Sequence, residues 1–314
     1  MLRGIVSGLL ILLSCLATDG LAQQPGELRM MTGPQGGSWY PLGGAIAEVI
    51  KREVGVTVSV RPGGGIANVE AVEVGRAEIG FSNLVSAIDA AAGRAPFKAA
   101  TRNMVHWMNL YPQYFQMVVL EESGVKTVAD LKGKGIAPGP RGFTGEQMAR
   151  HVLQVYGLSY RDMGSVQHVR YADAVALMKD KHLHAFLPVT TIPASSIMDL
   201  GTVRPIRLLS VPDDKLKELQ KINSGYIRRG ISKGTYPGVN YDVQTFGTFT
   251  HLVISRQLPE ELVYQMTRAV VQQVARLGDV VKDMKGVTAR DLAVDVGVPF
   301  HPGAERYFRE ARVR

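Results

Sequence analysis

Gly33-Pro34-Gln35-Gly36-Gly37-Ser38 separates a mostly apolar run, Leu28-Arg29-Met30-Met31, from a segment in which Leu42, Ala45, Ile46, Val49 and Ile50 share one helical face. The stretch therefore reads as strand, glycine-rich loop, helix, with Pro41 suited to the first helical turn. The unit recurs. Val56 to Arg61 alternates as a strand, and the loop Pro62 to Gly65 leads into a short helix holding Val69 and Val72. Lys134 to Ala137 is a strand, and Pro138-Gly139-Pro140-Arg141-Gly142-Phe143 leads into a helix from Thr144 to Tyr156 that stops at Gly157. Strand–helix alternation predicts an α/β fold with a mostly parallel sheet and helices on both faces.

The rest of the chain continues in this style. Strands are expected at 77–81, 114–120, 183–189 and 206–211. Helices are expected at 83–92, 171–180, 193–200 (closed by Gly201) and 214–222. Val243 to Ser255 is a long β-type run, and Pro259 opens what reads as the longest helix, with Val263, Met266, Val270, Val271 and Val274 inward. The extended runs at 114–120 and 243–255 suit crossings between two lobes. The expected division is a discontinuous first lobe, 25–115 plus 248–314, and a second lobe, 116–247, with a ligand cleft between them.

The first 22 residues read as an export signal. Met1-Leu2-Arg3 is a basic start, Gly4 to Leu13 is apolar, and Gly20-Leu21-Ala22 fits a cleavage site before Gln23. The apolar run is shorter than the roughly 20 residues that span a bilayer. A retained anchor is the alternative reading. Cys15 follows Leu12-Leu13-Ser14 and resembles a lipoprotein acylation site, but Leu13 is unusual there, so cleavage after Ala22 is preferred. The mature chain then has no cysteine and no thiol chemistry. Removal leaves the net charge at +8, because Arg3 and Asp19 cancel. The charges are scattered, and no Lys/Arg block is interleaved with aromatics. This argues for a solvated basic surface that attracts anions and against a nucleic-acid partner.

The chemistry sits at the loops. A helix start presents unpaired N–H groups and a positive dipole end, which favour carboxylate or phosphate. Glycine lets the backbone approach a ligand closely. Taken alone, each loop is equally a tight turn. Together, two in the first lobe and one in the second suit a ligand gripped from both sides. The candidate contacts are Gly37, Ser38, Trp39 and Tyr40 at the first loop, with Ser38 suited to capping the helix and donating to a ligand, and the aromatic pair forming either an apolar wall or a core-packed pair. Gly65, Ile66 and Asn68 follow at the second loop, and Ser82 and Asn83 after the next strand. Arg141, Gly142, Phe143 and Thr144 stand at the third loop, where a guanidinium can grip a carboxylate with two parallel bonds. Thr190 and Thr191 complete the set. Arg141 is equally a solvent-facing loop residue, and the two threonines equally a plain turn.

Gly36-Gly37-Ser38-Trp39-Tyr40-Pro41-Leu42-Gly43-Gly44 resembles the first loop of the TAXI-type solute receptors of tripartite ATP-independent periplasmic (TRAP) transporters. Asn68, Gly75 to Phe81, Tyr111-Pro112, Ser123 to Lys134, Gly139-Pro140, Gly234 to Gly238 with Asp242 to Thr245, and Leu258 to Tyr264 follow in consistent order. The resemblance implies a two-lobed type II periplasmic-binding-protein fold and delivery of a glutamate-like carboxylate to a TRAP-type permease. It also implies a periplasmic location and ion-driven transport. The chain departs from the family at Gly65, where Ser is frequent, at Phe143-Thr144-Gly145, and at Val85, which stands at an acidic position. These departures suggest a less polar site and a more apolar or aromatic carboxylate.

No cofactor motif is present: no Walker lysine follows the glycines, and the spacing misses the dinucleotide pattern. His182 and His184 lie two apart but lack a third ligand, and His106, His151, His168, His251 and His301 show no ligand spacing. No Gly-x-Ser-x-Gly elbow marks a nucleophile. The sequence is read as a monomeric receptor that returns its solute unchanged. An enzyme or a ligand sensor on the same fold is the alternative.

Overall fold

The computed structural model of the chain describes residues 26–33 and 37–314. The leader expected at 1–22, Cys15 within it, and Gly36 of the first loop lie outside the described residues.

The first part runs β1 (Glu27–Met31), α1 (Trp39–Val54), β2 (Thr57–Arg61), α2 (Gly65–Glu73), β3 (Ile79–Asn83), α3 (Leu84–Ala91) and β4 (Met104–Phe115). The middle runs β5 (Val118–Leu120), β6 (Gly135–Ala137), α4 (Thr144–Val155), β7 (Ser165–Val166), α5 (Tyr171–Lys179), β8 (Ala185–Phe186), β9 (Val189–Thr190), α6 (Ser195–Val203), β10 (Ile206–Leu208), α7 (Asp213–Ile222) and β11 (Ile227–Ile231). The chain returns through β12 (Val243–Ser255) and closes with α8 (Glu260–Gln272), α9 (Val274–Val280), α10 (Ala289–Leu292) and α11 (Pro302–Glu310).

The strands form two sheets, ordered β2-β1-β3-β12-β4-β9 (with β11 on β12) and β10-β5-β8-β6-β7. The fold is α/β and two-lobed. The expected parallel pairing holds for β1 with β2 and β3, and for β6 with β7 and β8. It fails at the long strands, because β12 runs antiparallel to β3, β4 and β11.

Each sheet is covered on two faces. On the first, Leu42, Ile46 and Ile50 of α1 meet Val263, Met266 and Val270 of α8 over Phe81 and Trp107. The other face carries Val69 and Val72 of α2 with Ala87 and Ala90 of α3. On the second sheet, Met148 and Val152 of α4 pack with Leu216 and Leu219 of α7, while Val175 and Met178 of α5 pack with Ile197 and Leu200 of α6. Trp107 is fully buried, and its Nε1 donates to Thr267 Oγ1 at 2.9 Å.

Four readings need correction. The strand expected at 114–120 is the end of β4 and all of β5, and the earlier part of β4 was not legible. That part is buried on both faces and carries His106, Asn109 and Gln113, so it has neither alternation nor a purely apolar run. The strand expected at 183–189 splits at Pro188 into β8 and β9, which join different sheets. Helix α6 runs past Gly201, where a Cβ would press on Pro237 Cδ at 3.3 Å; this glycine serves close packing, not termination. Among the described residues the longest helix is α1, with 16 residues, against 13 for α8.

Gly43 and Gly44 sit side by side inside α1 with opposite surroundings. A Cβ on Gly43 would overlap Thr32 Cγ2, whereas one on Gly44 would have nothing within 4 Å. Gly44→Ala should raise stability by about 0.5–1 kcal/mol by lowering the entropy of the unfolded chain. Gly43→Ala should lower it by about 1–3 kcal/mol through overpacking. Urea unfolding of the two variants checks the pair, and equal effects would contradict this packing.

Candidate functional site

The first loop delivers Ser38 and Trp39 to the centre of the first sheet. Ser38 holds the N-cap position of α1 but makes no side-chain cap bond, contrary to the sequence expectation. Its hydroxyl instead lies 2.9 Å from the Tyr111 hydroxyl on β4. Trp39 Nε1 donates to Thr250 Oγ1 on β12 at 3.1 Å, and Gln113 Nε2 donates to the same oxygen at 2.8 Å. The Trp39 ring leans on Phe81 with centroids 5.8 Å apart. Burial holds the Tyr111 hydroxyl well above the ordinary phenol range, so it stays a neutral donor and acceptor. Tyr40 is half-buried beside this group.

At the second loop Asn68 works inward. Its Nδ2 donates to the carbonyls of Thr32 (2.7 Å) and Phe81 (2.8 Å), and its Oδ1 accepts from Gly64 N at 3.1 Å. One side chain thereby ties the ends of β1 and β3 to the loop. Ser82 Oγ reaches Gly65 O at 3.3 Å, and Ile66 belongs to the apolar cluster under α2. These three residues support the loop and spend their groups internally.

The second and third loops meet directly. A Cβ on Gly64 would sit 2.5 Å from the Phe143 ring, and one on Gly65 would overlap Thr144 Oγ1 and approach Asn83 Nδ2 at 3.5 Å. Thr144 Oγ1 is 2.8 Å from Ser86 Oγ, and Gln147 Nε2 donates to Asp89 Oδ2 at 3.0 Å. Gly65, Asn83, Phe143 and Thr144 therefore form one cluster drawn from both sheets. Asn83 Oδ1 is buried within it without a hydrogen-bond partner among the described residues. Arg141 and Gly142 are exposed at its rim, and Gly142 has a φ of 78°, a left-handed turn that favours glycine. Thr190 pairs with Tyr114 on the far end of β4, and the Thr191 carbonyl accepts from Gln116 Nε2 at 3.2 Å. The structure does not join the threonines to the glycine cluster through any hydrogen bond among the described residues.

Sequence reading passed over Tyr111, Gln113 and Thr250 as site residues, because polar groups inside fully buried strands carry no local signature. It also missed a histidine pair. His106 on β4 and His251 on β12, 145 positions apart, are hydrogen-bonded through Nδ1 and Nε2. Both rings are fully buried, and their outer nitrogens have no partner among the described residues. Burial depresses His106 to about 3 and His251 well below 6.5, so both are neutral. Among the described residues no group of three or more His, Cys, Asp or Glu is placed to hold a metal.

The model of the NMT1-like family matches residues 30–311. The chain is similar to PhnD1 from Prochlorococcus marinus in complex with methylphosphonate, with a TM-score of 0.57, 11% identity, and coverage of 93% of this chain and 100% of that one. It is similar to the alkanesulfonate-binding protein SsuA from Xanthomonas axonopodis pv. citri bound to MOPS, with a TM-score of 0.50, 20% identity, and coverage of 92% and 85%. It is also similar to AbpA from Streptococcus pneumoniae, an amino acid ABC transporter substrate-binding protein bound to L-arginine, with a TM-score of 0.51, 13% identity, and coverage of 82% and 94%. At these identities the shared property is the fold alone.

Two predictions follow the buried polar groups. Thr250→Val keeps the shape but strands the Trp39 and Gln113 donors, and should destabilise by about 2 kcal/mol; tryptophan-monitored urea unfolding measures this. For the histidines, the unfolded chain takes up protons near 6.5, whereas folded His106 does not until about 3. Stability is therefore present in full above the unfolded value and lost as pH falls, by about 2 kcal/mol at pH 5 for His106, with His251 acting in the same direction. His251→Gln should flatten the dependence of the urea midpoint between pH 7 and pH 5. An unchanged slope would show that the rings are already charged in the fold.

Proposed function

The chain belongs to the NMT1-like family, and from that premise we propose that it is an exported receptor that captures a small anionic solute between two lobes and hands it on unchanged. The observation that carries this reading is the meeting of Gly64 and Gly65, beside the first sheet, with Phe143 and Thr144, at the start of α4 beside the second. Glycine here removes the side chains that would hold the loops apart, as a site that closes over a ligand requires. The lobes would be 25–115 plus 248–314, and 116–247, joined where β4 passes into β5 and where β12 returns. The molecule would act in the periplasm as a single copy.

The ligand contacts proposed are Gly37, Ser38, Trp39, Tyr40, Gly65 and Asn83 from one side, and Arg141, Gly142, Phe143, Thr144, Thr190 and Thr191 from the other. Asn68, Ser82 and Ile66 would act behind them by holding the second loop. The TAXI motifs read from the sequence support a TRAP-type permease as recipient. A glutamate-like or more apolar carboxylate fits the replacement of polar family positions by Gly65 and Phe143. The sulfonate, phosphonate and amino acid held by the similar structures support an ionic small molecule more broadly.

Thermal unfolding of the ligand-stripped protein against glutamate, glutamine, dicarboxylates and aromatic acids tests the reading. A solute at a hundred times its Kd should stabilise by about 2.7 kcal/mol, several degrees at this size. Mass analysis of the supernatant should recover it intact. Conversion of the solute would make the protein an enzyme, and no shift with any carboxylate would remove the ligand class.

A further inference from the structure

Arg229 lies on β11, opposite Thr245 of β12, at the edge where the middle segment of the chain adds a strand to the first sheet. Its stem runs over Gly247, where a Cβ would come 3.1 Å from Arg229 Cγ. Its guanidinium stands 4.8 Å from the Phe249 ring centroid and 6.0 Å from that of Tyr114. Nε and Nη2 are both buried and have no hydrogen-bond partner among the described residues. Desolvation lowers the guanidinium from its ordinary value, with Tyr114 opposing, but an arginine remains charged in proteins.

Nε and Nη2 form the side-on edge of the guanidinium, whose two parallel N–H bonds match a two-oxygen anion. The same chain shows this edge occupied elsewhere. Arg29 uses Nε and Nη2 to hold both oxygens of Glu78, at 3.2 and 2.5 Å. Arg207 uses the same pair on Glu121, at 3.1 and 2.6 Å. In Arg229 the edge is oriented away from solvent with no carboxylate on it. The aromatic faces offset only part of the cost of a buried, unpaired cation. Removing the charge's natural partner from a buried pair is strongly unfavourable, so such a group marks a place where an external anion completes the pairing.

We propose that Arg229 is the anion-gripping residue of this receptor, holding the solute's oxyanion side-on between Phe249 and Tyr114 at the junction of the two sheets. The assignment rests on the receptor reading above and deepens it. The principal counter-charge comes from the β11 edge, inside the molecule, and the exposed Arg141 is secondary to it. The aromatic walls favour a solute with an apolar body next to its charged end. A carboxylate, a sulfonate and a phosphonate all offer two oxygens to this edge, and affinity separates them.

Isothermal titration of the full chain with sodium glutamate, sodium benzoate, methanesulfonate and methylphosphonate provides the test, with Arg229→Gln, Arg229→Lys and the surface control Arg52→Gln. The assignment predicts that an oxyanion binding the wild type binds R229Q at least about tenfold more weakly. R229K should also lose most of the affinity, since a lysine lacks the fork, and R52Q should be unchanged. The probe with the largest loss names the anion class. Binding kept within about threefold in R229Q overturns the assignment and leaves the receptor reading intact. Failure of all four probes to bind the wild type overturns the assignment and removes these oxyanions as the solute class. If R229Q misfolds, Arg229→Met decides. In buffer whose only anion is chloride it should melt no lower than the wild type, because an unpaired buried cation has become apolar. A fall of more than about five degrees would make Arg229 a structural cation and overturn the proposal.

Discussion

The antiparallel ladder between β4 and β12 is the constraint on which the rest of the molecule depends. It runs from Met104 opposite Ser255 to Tyr114 opposite Gly247. At one end β12 also pairs with β3, placing the parallel strands and their loops. At the other end β9 and β11 attach, and β4 passes within two residues into β5 of the second sheet. Main-chain hydrogen bonds thus build the first sheet on one rail, from which the chain continues into the second, and the strands fit closely there: a Cβ on Gly247 would collide with the Gln113 carbonyl. A two-stranded connection of this kind transmits position well but resists rotation weakly, which suits lobes that open and close about it.

The candidate site is an inventory of what that rail presents. Thr250 collects Trp39 and Gln113, Tyr111 collects Ser38, and Gly247 makes room for the Arg229 stem. Most of these polar groups are satisfied. Asn83 Oδ1, at the meeting of the glycine loops, and the Arg229 edge are buried without partners among the described residues. Unpaired buried groups are costly in a fold that is otherwise closely paired. The unpaired nitrogens of His106 and His251 lie inside the first sheet, whereas Asn83 and Arg229 stand where the two sheets approach each other, as groups completed by a ligand would.

Much of the fold was legible because glycine loops and amphipathic helices are local signals. α4, α7 and the strand 243–255 are legible nearly to the residue, and α1 by its apolar face, since a helical stripe or a long β-branched and aromatic run needs no tertiary knowledge. β4 was hidden because a strand buried on both faces loses its alternation, and β11 because Ile227-Arg228-Arg229-Gly230-Ile231 looks like a basic loop. The site divided along the same line. The loop residues were visible, whereas Tyr111, Thr250 and Arg229 acquire meaning only when strands far apart in sequence are laid side by side. Ser38 illustrates the reverse error: a serine before a helix looks like a cap, but the Tyr111 hydroxyl competes for it and wins.

Hydrogen–deuterium exchange with and without a saturating oxyanion tests most directly the central claim, that one solute is held jointly by both sheets. Slowed exchange is expected at 63–68, at 143–147 and at 227–231 together, because the loops and the β11 edge would be joined through the same molecule. Protection confined to one of these segments, or spread evenly over the whole chain, would contradict it.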